Sequence, residues 1–245
     1  MLSRIAIVGV LRVDGLRLVR DRFLLGMSAY LIGLSALMRW LLPWAAAELD
    51  ARYGFQLTPY FALIVSHLVV VLAPFTVGVV GGFLLLESRE DRTVRALLVT
   101  PVSLPSYLAV LTTVMIGAGA LLTLAEAAII GRALPPWGPL VAVAIAGAPA
   151  GAAWALYMAG VADDKVEAMV HLKIGATIAL VPAGAYFLPG AWQWLGALHP
   201  SFWAMKGYWA AQAGEPWLGW IVAAAIAGAA WLLALSRLFL RAARR

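Results

Sequence analysis

The sequence has no cysteine and few charged side chains of either sign. Without cysteine, neither disulfide bonds nor thiolate metal sites can form. Charged residues make up 12% of the 245 residues, while hydrophobic residues make up 64%. A soluble domain has roughly 25% charged residues. Together with a mean hydropathy of +0.91, this composition indicates an integral membrane protein.

Sequence signatures of catalysis are also missing. A phosphate-binding loop needs lysine followed by serine or threonine, but the lysines here are followed by Val166, Ile174 and Gly207. The three histidines are far apart and form no H-E-x-x-H motif. We therefore expect neither an ATPase site, nor a metal site, nor any other enzymatic centre in this chain.

Six hydrophobic runs are long enough to cross a bilayer as helices. They predict an all-α membrane protein, with a single transmembrane domain over residues 1–245 and a loop from Pro43 to Thr58. The predicted spans are 23–42, 59–86, 106–130, 139–161, 168–188 and 217–235.

Two further segments are apolar but do not read as spans. Residues 1–22 alternate arginine and aspartate with aliphatic residues, which predicts an amphipathic arm in the membrane interface. Residues 189–216 are rich in tryptophan and interrupted by three prolines. This pattern predicts paired short helices in the outer leaflet, with a helical cap lying flat on the membrane as the alternative.

The basic residues are distributed unequally between the two sides of this layout. Fourteen of the 18 lysines and arginines fall on the side of the chain termini. The positive-inside rule therefore predicts that both termini are cytoplasmic. A pI near 10 is explained by this topology and needs no nucleic-acid partner.

The stretch 87–105, ESREDRTVRALLVTPVSLP, is a charged connection between spans two and three. Three of its apolar residues recur at helical spacing, which predicts a short amphipathic helix on the cytoplasmic side that ends before Pro101. They are Val94, Leu97 and Leu98. Topology alone would not require apolar residues in a water-exposed loop, so we expect this helix to contact another protein.

Polar residues inside spans are the other functional candidates. Glu126 either contacts a cationic substrate or, as we favour, forms an ion pair with Arg132 or Arg39. His67 is interpreted as a satisfied helix contact rather than a proton relay. Gly147 and Gly151 form G-x-x-x-G, which is attributed to chance because small residues are abundant.

The second turn on the same side has its own pattern. Its two aspartates, Asp163 and Asp164, are expected to cap the fifth span. Glu167 and His171 lie at i, i+4 and are expected to support each other.

The stretch 87–105 resembles the first cytoplasmic loop of ABC transporter permeases of the type-2 exporter class. The resemblance rests on Glu87, Glu90, Asp91, Thr93, Leu97, Leu98, Thr100, Pro101 and Tyr107. The turn A-D-D-K-V-E-A-M over 162–169 is similar to that of a bacterial group of fluoroquinolone export permeases. In the class, glycine is usual at the position of Arg92 and glutamate at that of Arg95.

The resemblance implies a permease subunit in the bacterial inner membrane that exports a hydrophobic or amphipathic molecule. Two permease copies, identical or different, would form the pathway, and a separate subunit would bind ATP and Mg²⁺. The residues implied as contacts with that ATPase are Glu87, Arg89, Glu90, Asp91, Arg92, Val94, Arg95, Leu97 and Leu98. Haem or polysaccharide export is an alternative within the class, and a stand-alone secondary transporter or channel is the alternative outside it.

Overall fold

The computed structural model describes residues 22–90 and 103–242. Regular structure in these residues is helical throughout, and six helical stretches are long and apolar enough to cross a membrane. The spans are Ala29–Tyr53, Thr58–Arg89, Leu104–Ile130, Trp137–Val161, Lys165–Phe187 and Leu218–Ala242. The predicted all-α class with six spans is confirmed. The predicted interfacial arm, up to residue 21, and the helix predicted within 91–99 lie outside the described residues.

The first helix extends beyond its predicted end. It runs from Arg22 to Tyr53 with Pro43 inside it, so the loop predicted from Pro43 is wrong over its first eleven residues. The residues after Pro43 are mostly alanine, leucine and glutamate, which are strong helix formers. Glu48 and Arg52 add an ion pair at i, i+4. The helix ends at Gly54, whose left-handed φ of 64° favours glycine.

The second span changes its helical type in the middle. A π-helical segment, His67–Leu72, lies between the α-helices Phe61–Ser66 and Ala73–Glu90. Pro74 has no N–H to donate to the carbonyls of this segment. The buried Thr123 hydroxyl of the third span donates to Val69 O at 2.8 Å. A side chain from a neighbouring span thus satisfies backbone that the irregular segment would otherwise leave unpaired.

The second and fourth spans touch through their backbones. A Cβ on Gly78 would lie 2.1 Å from Gly151 O, and a Cβ on Gly151 would lie 1.9 Å from Pro74 O. A Cβ on Gly147 would lie 3.3 Å from Ala204 Cβ, which is also tight. The attribution of this G-x-x-x-G pattern to chance is therefore wrong, since both glycines permit close packing.

The segment between the fifth and sixth spans consists of the 3₁₀ helix Gly190–Leu198 and the α-helix Pro200–Gln212. The α-helix packs against the fourth and sixth spans. Phe202, Met205 and Tyr208 are completely buried in it. The short helices predicted here are present, and the second is enclosed by the bundle rather than lying flat on its surface.

Candidate functional site: a clamp between spans and an aromatic cavity

Two side chains at the end of the second span bind the turn between the fourth and fifth spans. Glu87 Oε1 accepts from Lys165 Nζ at 3.2 Å. The Arg89 guanidinium donates to Ala159 O and, at 3.1 Å, to Ala162 O. These carbonyls belong to the last turn of the fourth span, where backbone acceptors have no helical donor. We call the Glu87, Arg89 and Lys165 contacts the clamp.

The turn itself is fixed by a network that resembles a capping box. Asp164 is the N-cap of the fifth span, and its Oδ1 accepts from Glu167 N at 2.8 Å. Glu167 reaches back, and its Oε2 accepts from Asp163 N at 2.8 Å. The prediction that the aspartates cap this helix is confirmed for Asp164. The Glu167 and His171 side chains also meet, with Oε1 3.9 Å from Nε2.

The clamp uses two residues that the resemblance assigned to ATPase contact. Glu87 and Arg89 make the intramolecular bonds above, and their contact with a partner stays a prediction. The remaining implied contacts are Glu90, whose side chain is not described, and six residues outside the described ranges. These are Asp91, Arg92, Val94, Arg95, Leu97 and Leu98.

A cavity of about 400 Å³ lies between the second, fourth, fifth and sixth spans and the segment before Pro200–Gln212. This volume is within the 300–1,000 Å³ range of small-molecule sites. Aromatic rings form much of its wall: Phe75, Trp154, Tyr157 and Trp231. Its rim includes the exposed side chains Ile178, Val181, Leu195 and Leu198.

Polar groups on the cavity wall are few and are held in place. Tyr157 Oη lies 3.1 Å from His171 Nδ1, and so the network of the turn between the fourth and fifth spans reaches the cavity wall. His199, also on the wall, accepts from Ser201 N through Nδ1 at 3.2 Å. Sequence reasoning did not find this site. The available signal was two aromatic residues three positions apart, Trp154 and Tyr157, in a span otherwise rich in alanine.

Glu126 does not form the predicted ion pair. Its side chain is completely buried, and neither carboxyl oxygen has a hydrogen-bond partner within the described part of the chain. The two arginines are engaged elsewhere: Arg39 donates to Ile129 O at 2.9 Å, and Arg132 Nε donates to Arg39 O at 3.1 Å. Arg39 thus satisfies a carbonyl at the end of the third span, and Arg132 satisfies the carbonyl four residues before Pro43, which has no N–H to donate to it.

His67 also departs from its interpretation. It is at the start of the π-helical segment, and its buried Nδ1 has no partner in residues 22–90 or 103–242. It is therefore not a satisfied helix contact. Neither His67 nor Glu126 lines the aromatic cavity.

Six apolar spans around a cavity indicate a multi-pass membrane protein. More specifically, the chain belongs to the family described as "Fluoroquinolones export permease protein Rv2686c-like", whose profile matches residues 14–236. The resemblance to this group is confirmed.

Two relatives from Mycobacterium tuberculosis show the same likeness. They are "Fluoroquinolones export permease protein MT2760" of strain CDC 1551 / Oshkosh and "Fluoroquinolones export permease protein Rv2686c" of strain ATCC 25618 / H37Rv. Each is 26% identical to this chain over 207 residues, which cover 81% of this chain and 80% of the relative.

Proposed function

We propose that this chain is the permease subunit of an ATP-driven ABC exporter of drug-like molecules. Two permease copies form the pathway in the bacterial inner membrane, with both termini in the cytoplasm. A separate subunit binds ATP and Mg²⁺ and grips the stretch 91–99 through its apolar residues, Leu97 and Leu98 among them. The substrate class comes from the names of the relatives, which are called fluoroquinolone export permeases.

The observation that carries this proposal is the clamp. A force applied to residues 91–99 acts directly on the end of the second span, where Glu87 and Arg89 are bound to the turn after the fourth span. Because the second and fourth spans also touch through their backbones, they move as one body. The fifth span moves with them because its first residue, Lys165, is bound to Glu87. A push from outside the membrane is thus distributed to three spans that border the cavity.

A stand-alone secondary transporter is the second candidate. The observation that favours it is the fully buried and unpaired carboxyl group of Glu126, because coupling to protons or ions uses such groups. A proton relay needs several titratable groups in a row. Glu126 is a single buried carboxyl group, and Arg39 and Arg132 are bound to backbone carbonyls. We therefore rank this candidate second.

Co-purification tests the proposed partnership. The variant Leu97→Asp/Leu98→Asp places charge on the apolar face that the ATPase is proposed to bury. We expect at least a tenfold loss of ATPase recovered with the tagged permease, since an unpaired charge in an interface costs about 2–5 kcal/mol. Membrane insertion should be unaffected because both residues lie outside the spans.

The matched control is Phe55→Asp, an exposed apolar residue in the connection between the first and second spans. This variant should recover as much ATPase as the wild type. Equal recovery by the Leu97→Asp/Leu98→Asp variant would refute the proposed grip on this stretch.

A further inference from the structure

The aromatic cavity has the lining of a site for a flat, apolar ring system. Trp154 lies in the middle of a row of rings, 5.4 Å from Phe75 and 4.9 Å from Tyr157 between ring centroids. Its position depends on Gly175, because a Cβ there would lie 2.1 Å from Trp154 Cζ2. Stacking on such rings favours planar aromatic ligands over aliphatic ones of the same volume.

The charge of the lining limits the ligand further. Among the residues that the structure describes, none of those that line the cavity is aspartate, glutamate, lysine or arginine. An ion moved from water into such a space loses its hydration and gains no counter-charge. The cavity therefore disfavours ligands with a net charge and accepts uncharged ones.

Two polar groups on the wall, Tyr157 and His199, define hydrogen bonds that a ligand can make, and the buried Nε1 of Trp154 is a further donor without a partner in the described residues. Glu167 Oε1 lies 3.9 Å from His171 Nε2, and this negative charge favours the neutral tautomer with its proton on Nε2, in which Nδ1 accepts from Tyr157. The lone pairs of Tyr157 Oη then remain for a donor on the ligand. His199 has the opposite arrangement: its Nδ1 accepts from Ser201 N, which leaves the proton of the neutral ring on Nε2 as a donor.

These groups lie towards different ends of the bundle. Tyr157 is four residues from Val161, the end of the fourth span at the clamp. His199 follows the 3₁₀ helix Gly190–Leu198, which the chain reaches only after the fifth span has crossed to the other end. A ligand with a donor on one edge and an acceptor on the opposite edge matches this pair.

We propose that the cavity binds an uncharged, planar aromatic molecule whose N–H or O–H donates to Tyr157 Oη and whose carbonyl accepts from His199. His171 and Glu167 act as positioning residues for Tyr157. This proposal rests on the proposed function in taking the cavity as part of the export route, but binding is measured without any ATPase.

The test uses full-length protein in lipid nanodiscs and three fluorescent probes of one shape. Acridone is planar and uncharged, with an N–H on one edge and a carbonyl on the other. N-methylacridone lacks the donor, and N-methylacridinium carries a positive charge. We expect acridone to bind most tightly, with N-methylacridone about 2- to 10-fold weaker, since one hydrogen bond is lost. N-methylacridinium should bind at least tenfold more weakly than acridone.

Substitutions in the cavity wall test whether the probes bind in this cavity. Tyr157→Phe should weaken acridone about 2- to 10-fold and leave N-methylacridone unchanged, because only acridone makes the hydrogen bond. Ala150→Phe adds a ring to the cavity wall and should weaken both uncharged probes more than tenfold. The matched controls are Tyr30→Phe and Ala229→Phe, both at exposed positions on other surfaces, which should change no affinity.

Equal losses of both uncharged probes in Tyr157→Phe would overturn the hydrogen bond to Tyr157. Unchanged acridone binding in a folded Ala150→Phe protein, or tightest binding of the cation, would overturn the site itself. If Ala150→Phe does not fold, the affinities of acridone and N-methylacridone for Tyr157→Phe test the proposal on their own. ATPase co-purification is a separate readout, so a failed cavity and a failed partnership give different results.

Discussion

At the scale of single residues, Glu126 is the most unusual group in the described bundle. It is completely buried, neither of its oxygens makes a hydrogen bond of normal geometry there, and the buried hydroxyl of Ser35 lies beside the carboxyl group. An ionised carboxylate in this setting is costly because it has lost water and gained no cation. A neutral side chain of the same shape fits the site at least as well.

Glu126→Gln tests this interpretation through stability. We expect the free energy of unfolding to change by less than about 1 kcal/mol, since no ion pair is lost. Thermal unfolding monitored by size-exclusion chromatography measures the change. Glu126→Asp provides the control: it keeps the acid, removes one methylene group, and should be destabilised by about 1 kcal/mol.

A loss of 3–5 kcal/mol in Glu126→Gln would instead mean that a buried ion pair had been broken. Transport by the same variant tests the cationic-substrate hypothesis for Glu126. Because Glu126 does not line the cavity, we expect transport to be retained. A loss of transport with normal expression and ATPase activity would contradict this and restore Glu126 as a substrate or proton site.

Two residues show which side-chain contacts can be predicted from the sequence and which cannot. Asp164 could be assigned as a helix cap because capping depends on neighbours three residues away. The absence of an ion pair at Glu126 could not be predicted, because it depends on where the Arg39 side chain points. Arg39 donates to Ile129 O at the end of the third span. This carbonyl comes within reach of Arg39 only once the helices are assembled.

At the scale of elements, the contact between the second and fourth spans is the tightest in the bundle described here. Gly78 faces the backbone of Gly151, Gly151 faces the backbone of Pro74, and neither glycine has room for a methyl group. The carbonyl oxygens that a methyl group would meet cannot rotate away as a flexible side chain would. The contact therefore fixes the distance between these two spans.

Gly151→Ala should destabilise the protein by about 3 kcal/mol, the upper end of the usual range for overpacking. The expected observation is a lower melting temperature and a smaller fraction of folded protein after extraction. Gly117→Ala is the matched control, since no atom lies within 4 Å of an added Cβ at this helical position. Equal melting temperatures for the two variants would show that the backbone contact is absent.

Helices could be predicted where the length of a hydrophobic run determines them. They were harder to predict where packing against other helices determines them. The six spans follow from runs of apolar residues. The eleven helical residues from Pro43 to Tyr53 were missed because the proline was taken as a helix end, whereas the helix formers beyond it outweigh one lost hydrogen bond. The π-helical segment carries no sequence signal apart from the nearby Pro74.

At the scale of the whole molecule, the clamp and the cavity are parts of one connected structure. Glu167 fixes the turn that Lys165 joins to Glu87, and through His171 it also holds Tyr157 on the cavity wall. A movement of the clamp therefore changes the position of a cavity group. In the proposed exporter, this connection transmits ATP-driven motion to the bound molecule.

The cavity could not be predicted from the sequence because four spans and a separate segment contribute to its wall. Their residues are far apart in the chain, and alanine and tryptophan are common throughout it. The function class was accessible because local patterns carry it: a charged stretch between two spans and a short turn near residue 164. The proposed binding chemistry of the cavity, by contrast, required the assembled structure.

Transport by purified components tests the central claim that a separate ATPase drives this permease. The chain is reconstituted in proteoliposomes, with or without its cognate ATP-binding subunit, and movement of a fluoroquinolone across the membrane is followed by fluorescence. We predict transport only when both the ATPase and hydrolysable ATP are present. Equal transport by this chain alone, driven by an ion gradient or by none, would contradict the account.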